Sequence, residues 1–160
     1  MPPLIFRMSD EFANDARAAF DEHRHRIREH LRNAEVRPTG GTSIAGVLTS
    51  GDVDLQVRVT PEVFEDACKV LSRLYESFHL DARHAECAFF TSPDSEPQVE
   101  VALTVIGCLD DFHHGEAWDR IAADRELVEQ YNAMKCAHEG GSLDEYLAAK
   151  RAFFYANFRL

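Results

Sequence analysis

Pro38-Thr39-Gly40-Gly41-Thr42-Ser43, followed by Asp52-Val53-Asp54-Leu55-Gln56-Val57-Arg58-Val59, is the stretch on which the fold turns. Adjacent glycines open backbone conformations closed to other residues, so Gly40-Gly41 marks a turn. The second segment alternates: Val53, Leu55, Val57 and Val59 stand against Asp52, Asp54, Gln56 and Arg58. That is a strand with one apolar face. Eleven residues separate Gly40 from Asp52. Asp52 and Asp54, two apart on such a strand, project from the same face at about 7 Å spacing.

Upstream, Phe12, Ala16, Phe20, Ile27 and Leu31 form one apolar stripe, which predicts a helix from Ser9 or Asp10, either a candidate cap, to about Arg32. Its Asp21–His30 run reads as a solvated face, and His23, His25 and His30 share no helical face that could hold a metal. Glu35-Val36-Arg37 reads as a short strand. Downstream, Thr60-Pro61 opens a helix whose stripe is Phe64, Ala67, Cys68, Leu71 and Leu74. His84 to Thr91 reads as a strand ending in a polar loop over residues 92–97. Gln98 to Ile106 alternates again, with Val99, Val101, Leu103 and Val105 on one face and Gln98, Glu100, Ala102 and Thr104 on the other. The remainder is expected to be helical. One helix carries Leu127, Val128, Tyr131 and Met134 and ends at Gly140-Gly141, and a capping box at Ser142-Leu143-Asp144-Glu145 starts the last one. His113 and His114 fall in an expected loop, with Phe112 and Trp118 as anchors for the following helix. The fold class expected is α+β: one domain over residues 1–160, a small mixed sheet with helices packed against it.

Composition narrows the function. The 160 residues include 17 Lys+Arg and 28 Asp+Glu, a formal charge of −11 with His neutral. Coating of long nucleic acid needs a basic face, so an acidic chain disfavours it. Recruitment of a divalent cation fits the charge. No run approaches the ~20 apolar residues needed to span a bilayer, and the start of the chain lacks a signal-peptide pattern, so a cytoplasmic location is expected. Cys68, Cys87, Cys108 and Cys136 form no CxxC pair and read as small buried hydrophobes. Cys108 with His113 and His114 lacks a second ligand pair at zinc-like spacing.

Three features converge on chemistry. The Gly40-Gly41-Thr42-Ser43 turn can present N–H groups and hydroxyls to a phosphate. Asp52 and Asp54 share a strand face. Glu100 joins them if its strand lies alongside. Three clustered carboxylates repel, and a hard cation with oxygen ligands, Mg²⁺ or Mn²⁺, relieves the repulsion and keeps positions open for substrate phosphates. Taken singly, each feature also reads as a plain turn or a solvated sheet face.

In these residues the sequence resembles the nucleotidyltransferase superfamily of polymerase-beta-like fold, whose pattern is a Gly-Gly/Ser turn, paired acids on a strand and a third acid on a later strand. More narrowly it resembles the GrpB-like branch over about residues 20–158. Gly41-Thr42-Ser43-Ile44-Ala45-Gly46, Arg83-His84 with Phe89-Phe90, Tyr131-x-x-x-Lys135 and Tyr146-x-x-x-Lys150-x-x-Phe153 carry that likeness. The chain departs from the branch at Asp52, where an apolar residue is typical, at Glu100, where His is frequent, and at Ser50-Gly51, where Lys-Pro is usual. The resemblance implies that Asp52, Asp54 and Glu100 ligate metal and serve transfer of a nucleoside monophosphate from a nucleoside triphosphate to an acceptor hydroxyl. It implies that Gly40, Gly41, Thr42 and Ser43 cradle phosphate, with Lys135 and Lys150 as clamps. Arg83 and His84 are further contact candidates. The alternative is a non-catalytic nucleotide-binding or interaction module on the same fold, as in relatives fused to dephospho-coenzyme A kinase.

Overall fold

Strand alternation dictates the centre of the molecule. In the computed structural model, which describes residues 2–160, β1 (Arg7–Met8) and α1 (Ala13–His30) precede β2 (Glu35–Thr39), β3 (Leu48–Thr49) and β4 (Val53–Val59). Then come α2 (Phe64–Leu74), β5 (Glu76–Phe78), β6 (Cys87–Ser92) and β7 (Val99–Val105). The chain closes with α3 (Leu109–His114), α4 (Glu116–Ala123), α5 (Arg125–His138) and α6 (Leu143–Phe158). The mixed sheet runs β2-β4-β7-β6-β5, with β1 and β3 as a separate two-stranded ribbon. The central pair β4 and β7 is parallel, and the other neighbours are antiparallel. Among the described residues no helix is long and apolar enough to cross a membrane.

The apolar face of β4 and β7 is sealed by α1 and α2: Leu55, Val57, Ala67, Leu71, Val99 and Leu103 are all fully buried. Each of these valines and leucines contributes about 1.5–3 kcal/mol through removal from water. A second apolar cluster lies among the C-terminal helices, built on Ile44, Val47, Trp118, Ile121, Tyr131, Phe153 and Phe154.

Several expectations need correction. Neither Ser9 nor Asp10 caps α1. Both sit in a 3-10 turn (Ser9–Phe12) and bond across to the glycine loop instead, Ser9 Oγ donating to the Ile44 carbonyl at 2.5 Å and the Gly46 N–H donating to Asp10 at 3.2 Å. Ser142 precedes α6 without a side-chain cap bond. His23 is buried on the expected solvated face, because its ring bonds the Tyr75 hydroxyl at 2.8 Å. His113 and His114 close α3 rather than lying in a loop. Cys136 is exposed and Cys108 half-buried, unlike Cys68 and Cys87.

The polar face of β4 is also not solvated. Gln56 is fully buried, and Arg58 binds Asp111 of α3 through Nε and NH2 at 2.7 and 2.8 Å. Asp111 further accepts from Gln56 Nε2, Thr104 Oγ1 and the Gly107 N–H at 3.0, 3.1 and 2.9 Å. Although burial pushes the Asp111 pKa up, these donors outweigh it and hold the carboxyl below its usual range. The network fastens α3 over one half of the polar face. The other half, at the Asp54 end, is left as a cleft.

Candidate functional site

Local pairing builds the mouth of this cleft. Thr39, at the end of β2, pairs with Asp54, so the chain must turn directly beside that carboxylate. Gly40 makes the turn at φ +73°, and a Cβ there would stand 2.2 Å from Asp54 Oδ2. Only glycine meets both conditions. A 3-10 turn (Gly41–Ser43) follows, closed by Ser43 N–H to the Gly40 carbonyl at 3.3 Å and Ile44 N–H to the Gly41 carbonyl at 3.1 Å. Ser43 is exposed, its hydroxyl donating to the Gly40 carbonyl at 2.7 Å. Thr42 points inward and shares a 2.6 Å hydrogen bond with Thr49, so its hydroxyl supports the loop rather than facing the cleft.

The parallel register of β4 and β7 sets Asp54 directly against Glu100. Asp52, just before β4, accepts a 3.3 Å bond from Ser50 Oγ. Among the described residues the three carboxylates do not all draw within 4.8 Å of one another. Burial first, then the charges of Glu100 and Asp52, push the Asp54 pKa from 3.8 up to about 7, against Lys150 and Lys135. Glu100 is raised as well, by burial and then Asp52, with Lys150 opposing. Such a set of oxygen donors, strained by its own charge, fits a hard divalent cation.

The two lysines differ. Lys150 of α6 is half-buried in the cleft, its Nζ 5.8 Å from the Trp118 ring centroid. Lys135 of α5 is buried in an aromatic cage, with Nζ 4.7, 5.0 and 5.7 Å from the Phe6, Tyr131 and Tyr146 rings. Desolvation, then Lys150, bring its pKa down to about 7, while Asp54 and Asp52 resist. Tyr131 and Tyr146 are themselves buried packing groups.

Beside Asp54 and Glu100 lies a cleft of about 190 Å³ that also takes in Gly40, Lys150, His113 and His114. The two histidine rings stack at 4.8 Å and 9°, and Phe89 meets His114 edge-on at 5.4 Å. Burial and then the adjacent His113 bring His114 down to about 3, and burial and then Lys150 lower His113. A larger cavity of about 460 Å³ opens on the other side of Asp54, against Thr42, Ser43 and the Arg17 and Arg24 side of α1. Sequence reasoning placed neither the arginines nor Phe89 in the site, and the adjacent histidines were its one usable signal. Arg83 and His84 lie elsewhere, paired with Glu65 at 3.6 Å and Asp110 at 2.6 Å.

A mixed sheet with acids on adjacent strands beside a glycine turn is the frame of nucleotidyltransferase-like folds. The Cid1 poly(U) polymerase bound to Mg and 3'-dATP shares this fold, with a TM-score of 0.54 and 18% identity over 77% of this chain and 40% of that one. More narrowly, the sequence model described as GrpB protein matches residues 10–159, and the chain belongs to the GrpB family. The conserved protein GrpB from Enterococcus faecalis superposes with a TM-score of 0.70 at 16% identity, covering 95% of this chain and 96% of that one. A UPF0157 protein of Vibrio cholerae is 28% identical over 152 residues, 94% of this chain and 79% of that one.

Proposed function

We propose that the cleft performs divalent-metal-dependent nucleotidyl transfer, moving a nucleoside monophosphate from a nucleoside triphosphate to an acceptor hydroxyl, in the cytoplasm. The observation that carries this reading is the side-by-side placement of Asp54 and Glu100, with Gly40 packed on Asp54 too closely for any side chain. Asp52, Asp54 and Glu100 would hold Mg²⁺ or Mn²⁺, which supplies charge neutralisation along the triphosphate when bound. The Gly41 backbone and the Ser43 hydroxyl orient phosphate oxygens, and Lys150 balances their charge from α6. Lys135, caged by aromatics, reinforces the field without touching solvent freely. Glu100, made more basic by burial, accepts the proton of the acceptor hydroxyl. The acceptor oxygen then bonds the α-phosphorus, the bond to the bridging oxygen breaks, and pyrophosphate leaves.

Incubation of the protein with Mg²⁺, each labelled nucleoside triphosphate and pooled small-molecule and protein acceptors tests this directly. Pyrophosphate release above that of Asp54→Asn supports transfer. Triphosphate binding with no release from any acceptor pool favours the non-catalytic nucleotide-binding module.

A further inference from the structure

We infer that His84, Cys87 and Asp110 form a second cation site, selective for a borderline-soft divalent ion such as Zn²⁺ and separate from the oxygen cluster at Asp54. One ligand atom from each residue, with nitrogen, sulfur and oxygen all represented, lies within 4.8 Å of the other two. Among the described residues it is the one group of His, Cys, Asp and Glu that converges this closely.

The backbone presets two of the donors. His84 and Cys87 face each other across an antiparallel bridge, His84 N–H donating to the Cys87 carbonyl at 3.0 Å and Cys87 N–H to the His84 carbonyl at 3.4 Å. The His-x-x-Cys spacing matches the short ligand pairs of zinc sites. Asp110 arrives from the first turn of α3, with its carboxylate 2.6 Å from His84 Nε2. Tetrahedral zinc, with bonds of about 2.0–2.3 Å, spaces its ligand atoms about 3.3–3.6 Å apart. His84 and Asp110 side chains are 47% and 30% exposed, so they have room to adjust to that spacing while buried Cys87 stays fixed. Their exposure also leaves a fourth position open to water.

Proton bookkeeping follows from the hydrogen bonds. His84 Nδ1 accepts from the Glu86 N–H at 3.2 Å, so Nε2 carries the proton toward Asp110 in the metal-free protein. A cation on Nε2 shifts that proton to Nδ1 and turns the ring off the Glu86 N–H. Metal–sulfur, metal–nitrogen and metal–oxygen bonds form, and the Cys87 S–H proton leaves to solvent, one per ion.

Cys87 pairs with Thr104, whereas Glu100 pairs with Thr91, so the site lies four residues along β7 from Glu100, about 13 Å by strand rise. It therefore tethers the His84–Cys87 turn at the start of β6 to the start of α3, the helix that ends in His113 and His114 at the cleft.

Titration of the full chain with Co²⁺ is the test. A thiolate-to-cobalt charge-transfer band at one ion per chain, displaced by Zn²⁺, is expected in wild type. The band is expected to vanish in Cys87→Ser and in His84→Ala and to persist in Cys136→Ser and Asp54→Asn. At 100-fold excess over its Kd, Zn²⁺ is expected to raise the wild-type Tm by about 5–10 °C and leave His84→Ala unshifted. No band in wild type, a band that survives Cys87→Ser, or one lost in Asp54→Asn overturns the inference. If circular dichroism shows Cys87→Ser unfolded, His84→Ala decides, since an unchanged band at unchanged affinity in that surface variant overturns it equally.

Discussion

Asn at position 54 removes one charge from a set of mutually repelling carboxylates. In the folded chain, burial, Glu100 and Asp52 hold the Asp54 pKa at about 7 instead of 3.8, with Lys150 and Lys135 opposing. Between those values the folded state binds a proton that the unfolded chain releases. With metal absent, the stability contributed by this group therefore falls as pH rises from about 4 to about 7 and stays lost above that. The interval from 3.8 to about 7, at about 1.4 kcal/mol per pH unit, sets a ceiling of about 4 kcal/mol. Asp54 is only half-buried at the mouth of the cleft, and solvent screening reduces the effect to about 1–2 kcal/mol. Urea unfolding in the presence of a chelator, at about pH 5 and about pH 8.5, measures it. Asp54→Asn is expected to exceed wild type by about 1–2 kcal/mol at the higher pH and by less than half of that at the lower, where only the first part of the interval has been crossed. Every other ionisable group is common to both proteins and drops out of the difference. A variant equal to or weaker than wild type at about pH 8.5 refutes the charge-strain reasoning.

Three further outcomes follow from the same geometry. Gly40→Ala combines a φ of +73° with a Cβ contact of 2.2 Å to Asp54; it is expected to cost about 2 kcal/mol, seen as a Tm lowered by about 4–8 °C. Lys135→Met keeps the aromatic packing and removes a buried cation whose penalty is full below about pH 7 and fades as pH rises toward 10.5. It is expected to stabilise by about 1–2 kcal/mol at about pH 6, with the gain shrinking in alkaline urea titrations. Asp111→Ala strands Arg58, Gln56 and Thr104 without their shared acceptor; unfolding experiments are expected to show a loss of about 3–5 kcal/mol.

The period-two alternation of residues 52–59 and 98–106 was strong enough to mark both central strands and the faces carrying Asp54 and Glu100, whereas the mixed character of the sheet came only with the family resemblance. Register was not legible. That Asp54 meets Glu100 and not Ala102 depends on the lengths of the β4–β7 crossover, which no local pattern encodes. Short pairings escaped too: Arg7–Met8, Leu48–Thr49 and Glu76–Phe78 are two or three residues long, below any periodicity. Polar residues misled wherever tertiary contacts satisfied them. Ser9 and Asp10 read as caps but bond the glycine loop, Gln56 and Arg58 fall on the polar side of the alternation with nothing local to show that they meet Asp111, and Lys135 sits at helix-surface spacing yet is enclosed by Phe6 from the opposite end of the chain. The cleft walls Phe89, His113 and His114 come from two elements distant in sequence from Asp54, so their convergence is purely a product of topology.

The central claim is that Asp52, Asp54 and Glu100 act together as a site for metal and triphosphate. Isothermal titration of a non-hydrolysable nucleoside triphosphate with and without Mg²⁺, on wild type and on Asp52→Asn/Asp54→Asn, tests it most directly. The account predicts binding that requires Mg²⁺ and disappears in the double variant while its circular dichroism stays native. Binding of equal strength in both proteins, or none in wild type, contradicts it.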